Sequence, residues 1–244
     1  MWLALPAAAQ TIVVAAAADL NYALKDLASR YESKTGKKVI LSFGSSGNFF
    51  AQIQGGAPYD VFFSADMDYP KKLVAAGLLD PSSLRTYAVG HLVLWVPQNS
   101  PLDPQRLRID LLLRPEVRKI AIADPRHAPY GRAAMAALEH YGLKDKLAAK
   151  FVMGENISQT AQFVQSGNAQ AGLVALSLAS SPGMKNSGKF WILPADSYPS
   201  MAQGAGILRR SKQKAEAQVF LDFAISPEGQ AVLKQYGFQP PARP

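Results

Sequence analysis

The segment TIVVAAAADL, residues 11–20, joins an apolar run typical of a buried strand to a run with helical spacing. A second junction of this kind is Gly44-Ser45-Ser46-Gly47. In each junction a helix begins at the end of a strand, and the first N–H groups of a helix have no intrahelical acceptor. These donors and the helix dipole both favour negative charge. The two junctions therefore predict an anion-binding site, and neither has a catalytic base beside it.

Strand-like and helix-like runs alternate along most of the chain. The apolar runs predict strands at residues 11–17, 39–43, 59–64, 92–96, 119–123, 171–176, 189–193 and 204–208, and one near Phe151. Helical spacing predicts helices from Leu20 to Gly36, after Gly47, from an N-cap at Asp66 to Gly77, over residues 131–141 and 158–166, and two at the end of the chain, the last opening with Pro227. This alternation indicates an α/β fold with mostly parallel sheets.

The composition excludes several classes of protein. With 48% hydrophobic and 18% charged residues, the 244-residue chain can bury a core as one large domain or two small ones. It has no cysteine, which excludes disulfide bonds and cysteine-bound zinc. The net charge is +8, but lysine and arginine are scattered rather than clustered among aromatic residues. We therefore expect no nucleic-acid partner.

The first residues have the pattern of the end of a secretory leader. An apolar stretch from Trp2 to Ala9 ends in three alanines before Gln10, as the small-residue cleavage site of a signal peptide does. We interpret residues 1–10 as the remnant of a signal peptide and expect export to the periplasm. No later apolar run in the sequence is long enough to span a bilayer.

The sequence signatures of enzymes are incomplete. Residues 183–189 match most of a phosphate-binding loop, but Phe190 replaces the serine or threonine that holds magnesium. The segment Gly44-Ser45-Ser46-Gly47 lacks the spacing of a nucleophile elbow. A hydrolase that uses Ser46 with His127 as its base stays open as an alternative.

Seven segments read together form one pattern. They are AAAADL (15–20), FGSSG (43–47), GAPYDVFFSAD (56–66), DPRHAPYG (124–131), ENI (155–157), GLVA (172–175) and YGF (236–238). In this order and spacing the chain resembles the periplasmic molybdate-binding proteins of ABC importers. The likeness covers nearly everything after Gln10.

The resemblance implies a type II periplasmic binding fold. In that fold two α/β lobes with mixed sheets are joined by crossover hinge strands and close over one tetrahedral oxyanion in a cleft between them. The first lobe would comprise residues 11–89 together with 203–244, and the second lobe residues 90–202. The predicted return strand at residues 204–208 lies where such a chain would cross back.

The resemblance also implies the function and the site. The chain would be an exported solute-binding protein, not an enzyme and without a cofactor. It would capture molybdate, and tungstate as well, as a monomer and deliver it to an ABC permease in the inner membrane. In the family, neutral hydrogen-bond donors hold the ion. The matching positions here are Ala18, Asp19, Ser45, Ser46, Tyr130, Asn156 and Ile157.

The residues by themselves support only part of this site. A serine hydroxyl and successive N–H groups at a helix start suit the oxygens of a tetrahedral anion. Ser45 and Ser46 are, however, also favoured helix caps, and Tyr130 suits a core position. Ala18 and Ile157 carry no functional signal of their own.

Asp19 departs from the family's pattern, which commonly has serine, threonine or asparagine there. An ionised carboxylate repels an oxyanion, so we expect the side chain to point away and to cap a nearby helix N–H group. A carboxylate in the cavity would mean a different ligand or an affinity that falls at higher pH. Arg126 and Arg132 flank the Tyr130 turn.

Other ligands of the same fold stay open as alternatives. Sulfate, phosphate and small organic anions are the main ones. An iron complex is disfavoured, because the sequence has no tyrosine pair or histidine cluster near the cleft. Asp60, Asp66 and Asp68 cluster locally but lack the spacing of a cation-binding loop, so we expect no directly coordinated metal.

Overall fold

The computed structural model describes residues 11–241, so the predicted signal-peptide remnant lies outside the described residues. The described chain contains these strands: β1 (Thr11–Ala17), β2 (Lys38–Gly44), β3 (Val61–Ser64), β4 (Arg85–Val89), β5 (Leu92–Pro97), β6 (Ile120–Ala123), β7 (Phe151–Gly154), β8 (Ala171–Ala175), β9 (Gly188–Ile192) and β10 (Ala202–Ile207). Every predicted strand is present, close to its expected bounds. The sequence prediction lacks only β4, which is short and begins with a charged residue.

The helices complete the alternation. They are α1 (Ala23–Thr35), α2 (Ser46–Gln54), α3 (Asp68–Ala75), α4 (Pro104–Leu107), α5 (Pro129–His140), α6 (Lys144–Leu147), α7 (Ile157–Gln165), α8 (Leu176–Ala179), α9 (Lys214–Ile225) and α10 (Pro227–Gln235). Short 3-10 helices cover Ala18–Leu20, Pro81–Ser83, Arg108–Leu113, Ala148–Lys150 and Ala195–Ser197. None of the helices in residues 11–241 has the length and apolar character needed to cross a membrane.

The predicted helix boundary signals have clear physical counterparts. Gly36 ends α1 in the left-handed conformation, with a φ of 70°, as a C-terminal glycine does. Pro227 opens α10 as predicted. Met67, rather than Asp66, occupies the cap position of α3. The Asp66 carboxylate nevertheless accepts the N–H of Tyr69 at 3.2 Å, so the predicted capping bond forms from one residue further back.

The strands form two five-stranded sheets with the same pattern of directions. The first has the order β2-β1-β3-β10-β4 and the second the order β7-β6-β8-β5-β9. In each sheet the first three strands are parallel, and the fourth runs antiparallel to both of its neighbours. Four of the five strands in each sheet therefore run in the same direction, as the prediction of mostly parallel sheets expects, and the one reversed strand makes both sheets mixed. The local alternation of strands and helices does not reveal that β10, which follows all strands of the second sheet in the sequence, belongs to the first sheet.

Apolar side chains fill both faces of the first sheet. Along β1, Ile12, Val14 and Ala16 belong to one core, which includes side chains of α1, α9 and α10. Ala15 faces the opposite core, which includes side chains of α2 and α3. This two-sided burial explains why β1 is apolar throughout rather than alternating. A separate core surrounds the second sheet and extends to Ala17 and Ala18 at the end of β1.

Asp60 connects three segments of the first sheet region through a buried carboxylate. Its Oδ2 accepts the N–H of Val13 at 2.8 Å, and its Oδ1 accepts the hydroxyl of Ser211 at 2.6 Å. The Asp60 backbone adds bonds to Val13 and to Leu208. The side chain thus extends the β1–β3 pairing and fixes the segment that follows β10.

Replacing Asp60 by alanine is expected to destabilise the fold. The change leaves the buried donors of Val13 and Ser211 without an acceptor, which costs about 3 kcal/mol in free energy of unfolding. Urea unfolding monitored by circular dichroism measures this loss. Asp145→Ala is the control, because Asp145 is exposed. Equal stability of the two variants would contradict the structural role of Asp60.

Candidate functional site

Four strand-to-helix junctions meet at one small cavity between the two sheets. The junctions follow β1, β2, β6 and β7, and they begin the 3-10 helix Ala18–Leu20, α2, α5 and α7. The cavity measures about 200 Å³ with its mouth included. Its lining consists of Ala17, Ala18, Asp19, Gly44, Ser45, Ser46, Ala65, Ala128, Pro129, Tyr130 and Ile157. Six of the seven predicted site residues are in this lining, and Asn156 is not.

Ser45 and Ser46 lie at the start of α2, each with a different role. Ser45 is the N-cap, and its hydroxyl accepts the N–H of Asn48 at 3.3 Å. The Ser46 hydroxyl oxygen accepts the N–H of Ala65 at 3.0 Å. A hydroxyl that accepts one bond still has its own proton to donate. The Ser46 N–H, in the first helical position, has no intrahelical acceptor. Ser46 therefore offers two donors at the cavity wall.

Asn156 prepares the start of α7 from outside the cavity. Its Oδ1 accepts the N–H groups of Ser158 at 3.0 Å and Gln159 at 3.1 Å. This cap satisfies the second and third amides of the helix. The first amide, that of Ile157, has no intrahelical acceptor and belongs to a residue of the cavity lining. The side chain of Asn156 thus acts on the helix end, while Ile157 contributes only its backbone donor.

Tyr130 is in the first turn of α5, where its side chain is fully buried. Its hydroxyl lies 3.4 Å from Nε2 of Gln203, and burial raises its pKa well above the usual value. Gly90, on the connection between the two sheets, makes room for this hydroxyl. A Cβ atom at Gly90 would lie 2.4 Å from the Tyr130 oxygen and 2.6 Å from Gln203 Nε2. The ring of Tyr130 therefore reaches toward the connection between β4 and β5. The backbone amide of Tyr130 lies in the first turn of α5, next to the cavity.

The structure corrects the helix-capping role that was expected for Asp19. Ala17 precedes the 3-10 helix in the cap position, and no side chain caps that helix. The carboxylate of Asp19 instead accepts a bond from Gln203 Nε2 at 2.7 Å. Its other oxygen, Oδ1, is buried without a hydrogen-bond partner among the described residues. Desolvation by burial raises the pKa of Asp19 from 3.8 to about 6, although hydrogen bonds with Gln203 and Tyr130 limit the increase.

Gln203 and Tyr87, which the sequence did not single out, form a buried hydrogen-bonded group with Asp19. The Tyr87 hydroxyl donates to Oε1 of Gln203 at 2.5 Å, which leaves the amide nitrogen of Gln203 facing Asp19. Gln203 is fully buried in β10 and Tyr87 in β4. The only signal in the sequence is that Gln203 is a polar residue directly before the apolar predicted strand 204–208. This signal points to the cavity only once β10 is known to lie between β3 and β4.

The two sheet regions contact each other directly around the cavity. The N–H of Gly47 donates to the carbonyl of His127 at 2.8 Å. The hydroxyls of Ser158 and Ser177 donate to the carbonyls of Ala18 and Asp19 at 2.9 and 2.8 Å. These bonds join the two sheet regions at the start of α2 and along the 3-10 helix Ala18–Leu20.

The two arginines beside the Tyr130 turn have different partners. Arg132 reaches across to Asp66 and also donates to the Tyr69 hydroxyl at 3.3 Å. Arg126 binds the Asp124 carboxylate two residues away, and this hydrogen bond lowers the pKa of Asp124 to about 2. Neither arginine is in the cavity lining. The described lining therefore holds no positively charged side chain.

The chemistry of the site favours binding over catalysis. The Ser46 hydroxyl bonds the Ala65 amide, and no hydrogen bond joins it to a histidine in the described chain. His127 meets α2 through its backbone carbonyl. Within residues 11–241, no group of three or more His, Asp or Glu side chains could hold a metal ion. The arrangement offers several neutral donors to a small anion.

Comparison with known proteins supports the same interpretation. Residues 12–239 match the family described as bacterial extracellular solute-binding protein. The molybdate-binding protein ModA of Rhodobacter capsulatus is 40% identical over 238 residues, which are 98% of this chain and 92% of that protein. Its counterpart in Azotobacter vinelandii is 41% identical over 236 residues, 97% of this chain and 92% of that protein.

A solved structure has the same fold. The periplasmic molybdate-binding protein of Azotobacter vinelandii superposes with a TM-score of 0.89 at 37% identity, over 95% of this chain and 100% of that one. This match confirms the two-lobe binding-protein fold that the sequence resemblance implied. The resemblance itself is confirmed by the relatives.

The raised pKa of Asp19 predicts a pH-dependent effect of Asp19→Asn on stability. Between about pH 4 and about pH 6 the native state holds a proton on Asp19 that the unfolded state has lost, so wild-type stability falls as pH rises. A shift from 3.8 to about 6 corresponds to about 3 kcal/mol. The asparagine side chain of the variant has no charge to desolvate. Relative to wild type, the ligand-free variant should therefore gain about 3 kcal/mol between about pH 4 and about pH 7.

Urea unfolding of both dialysed proteins at the two pH values measures this difference. Asp68→Asn is the control, because Asp68 is exposed and lies outside the cavity lining. A stability difference between Asp19→Asn and wild type that does not vary with pH would contradict the raised pKa.

Proposed function

The chain belongs to the family of bacterial extracellular solute-binding proteins, and from this membership we propose that it captures molybdate in the periplasm for an ABC importer. We further propose that tungstate is bound in the same way and that the loaded protein delivers its ion to a permease in the inner membrane. The relatives at 40% and 41% identity are named for molybdate binding and support this choice of ligand.

The observation that carries the proposal is the convergence of neutral donors on one small cavity. The amides of Ala18, Asp19, Ser46, Tyr130 and Ile157 and the hydroxyls of Ser45 and Ser46 are the proposed donors. The cavity is small and is lined by the starts of four helices, which suits a single small ion rather than a larger organic ligand. Asn156 has a supporting role, as the cap that leaves the Ile157 amide available.

The number of donors is sufficient for tight binding without a positive charge. A hydrogen bond to a charged group contributes about 1.5 to 3 kcal/mol. Four or five such bonds contribute about 6 to 15 kcal/mol before the costs of association are subtracted. Micromolar to nanomolar affinity corresponds to a net binding free energy of about 8 to 12 kcal/mol, so the larger part of the proposed donor set must act together. Donors fixed on the backbone also select by size, because a smaller ion such as sulfate leaves some of them unpaired.

Lobe closure is the proposed signal to the permease. We assign residues 11–89 with 203–244 to the first lobe and residues 90–202 to the second, which places one sheet in each. The contact between Gly47 and His127 and the bonds from Ser158 and Ser177 then cross the cleft. An ion between the lobes stabilises the closed arrangement, which a permease can distinguish from the open one.

Isothermal titration with molybdate, tungstate, sulfate and phosphate tests this function. Dialysed protein is expected to bind molybdate and tungstate one to one and to give negligible heat with sulfate. Ser46→Ala removes one hydroxyl donor and should weaken molybdate binding about 10- to 100-fold. Ser29→Ala is the matched control, because Ser29 is exposed on α1.

The same titrations separate the alternatives. Binding of sulfate or phosphate alone would keep the fold and reject molybdate as the ligand. No binding of any of the four ions would reject the oxyanion site. Equal affinities of Ser46→Ala and Ser29→Ala for molybdate would remove the Ser46 hydroxyl from the donor set.

Gly47→Ala is expected to oppose closure. A Cβ atom at Gly47 would lie 2.7 Å from the carbonyl oxygen of His127 and 2.5 Å from the Tyr69 hydroxyl. The backbone of the second lobe must move away to admit it. We expect molybdate binding at least about tenfold weaker, because closure no longer contributes fully to affinity. With saturating molybdate, the radius of gyration from X-ray scattering should stay larger than that of wild type.

Gly55→Ala is the control on the same helix. A Cβ atom there makes only ordinary contacts, at 3.4 Å or more, within α2 and its end. This variant should bind and close as wild type does. Full closure of Gly47→Ala with molybdate would contradict the proposed role of the Gly47–His127 contact.

A further inference from the structure

Asp19 is the only residue in the cavity lining that carries a carboxyl group. Just 1% of its surface is exposed. One carboxyl oxygen accepts the Gln203 amide, while the other, Oδ1, has no hydrogen-bond partner among the described residues. A buried, unpaired oxygen on a residue that lines an anion site needs an explanation, because unpaired buried polar atoms are costly.

The groups around Asp19 do not neutralise its charge. Gln203 reaches it from β10 and Tyr130 from α5, and Tyr87 on β4 acts through Gln203. The backbone amides of Asp19 and Leu20 are the remaining contributors to its pKa, and none of these groups is a cation. Farther from Asp19, the charge of Asp66 raises the pKa of Tyr87, and Tyr198 raises that of Tyr130. Neither of these groups brings a positive charge.

An ionised Asp19 is incompatible with tight binding of a doubly charged ion in the same cavity. Both charges would be desolvated, and like charges at short range in a protein interior repel strongly. The usual response of such a carboxyl group is to hold its proton. A protonated carboxyl group donates a hydrogen bond rather than repelling the ion.

We propose that Asp19 takes up one proton from solvent when the oxyanion enters, so that the site captures the ion and a proton together. The proton binds Oδ1, since Oδ2 accepts the Gln203 amide, and the ion itself is unchanged. Protonated Asp19 thereby adds to the selection by size, because its O–H favours oxyanions whose oxygens are more basic than those of sulfate. This inference rests on the proposed function of the cavity as an oxyanion site.

The titration behaviour of the neighbouring groups agrees with this assignment. Burial already raises the pKa of Asp19 to about 6 before an ion adds its own charge. Tyr87 and Tyr130 have pKa values well above the usual one and keep their protons. At pH 7 most Asp19 carboxyl groups are ionised, and the free-energy cost of protonating them lowers the molybdate affinity by only about tenfold. Above about pH 7 the molybdate affinity should fall about tenfold for each further pH unit.

Proton uptake can be counted by calorimetry. Sodium molybdate is titrated into wild-type protein at about pH 7.5 in two buffers with different ionisation enthalpies. The difference in observed heat gives the number of protons bound per ion. We expect about one proton for wild type and none for Asp19→Asn. The native pKa of Asp19, about 6, lies below the pH of the experiment, so the group is ionised until the ion arrives.

Asp66→Asn is the matched control. Asp66 is a second cleft carboxylate whose pKa is raised by burial, but it is paired with Arg132 and is not in the cavity lining. This variant should still take up about one proton per ion. In Asp19→Asn, the dissociation constant should no longer vary between about pH 7 and about pH 9, and the preference for molybdate over sulfate should decrease.

The outcomes separate this inference from the proposed function. Tight binding of molybdate by wild type without proton uptake overturns the role of Asp19 and leaves the molybdate site intact. Equal uptake by wild type and Asp19→Asn also overturns it. Absence of molybdate binding by wild type overturns the function itself. The wild-type proton count decides the matter even where Asp19→Asn fails to fold, which thermal unfolding reveals.

Discussion

The structure depends on how the first N–H groups of buried helices are satisfied. These groups have no acceptor inside their own helix, and leaving them unpaired in a protein interior is costly. Ser45 and Asn156 satisfy the later amides of the first turns of α2 and α7 with their side chains. The amides of Ser46 and Ile157, at the first helical positions, are left without an intrahelical acceptor, and these are two of the proposed donors to the ion. The caps therefore define the site by what they leave unpaired.

The sheet topology explains why these helix starts meet. In each sheet the parallel strands end at one edge, and ligands of open α/β sheets bind outside the carboxyl ends of the strands. Strands β1 and β2 bring Asp19 and Ser46 to this edge of the first sheet, while β6 and β7 bring Tyr130 and Ile157 to that edge of the second. Two copies of one strand order that face each other thus produce a single cavity from four distant segments.

The sequence predicted the elements of this arrangement better than their connections. Apolar runs such as residues 11–17 identify strands, and family resemblance brought most of the lining residues together. Local pattern could not reveal that β10 and β5 run antiparallel to their neighbours, because direction is set by long-range pairing. The contact of Asp19 with Gln203 joins residues 184 positions apart, so no local signal indicates it.

Closure and ion binding act on the same peptide groups. Ser158, from the far side of the cleft, donates to the carbonyl of Ala18. That carbonyl shares its peptide unit with the N–H of Asp19, a proposed donor to the ion. Hydrogen bonds in such chains polarise one another, so a bond accepted at the carbonyl strengthens donation from the amide. Ser177 adds a second bond of this kind, from its hydroxyl to the carbonyl of Asp19. Under the proposed closure, the turn after β1 therefore becomes a better anion donor, and a bound anion in turn strengthens the bonds from Ser158 and Ser177.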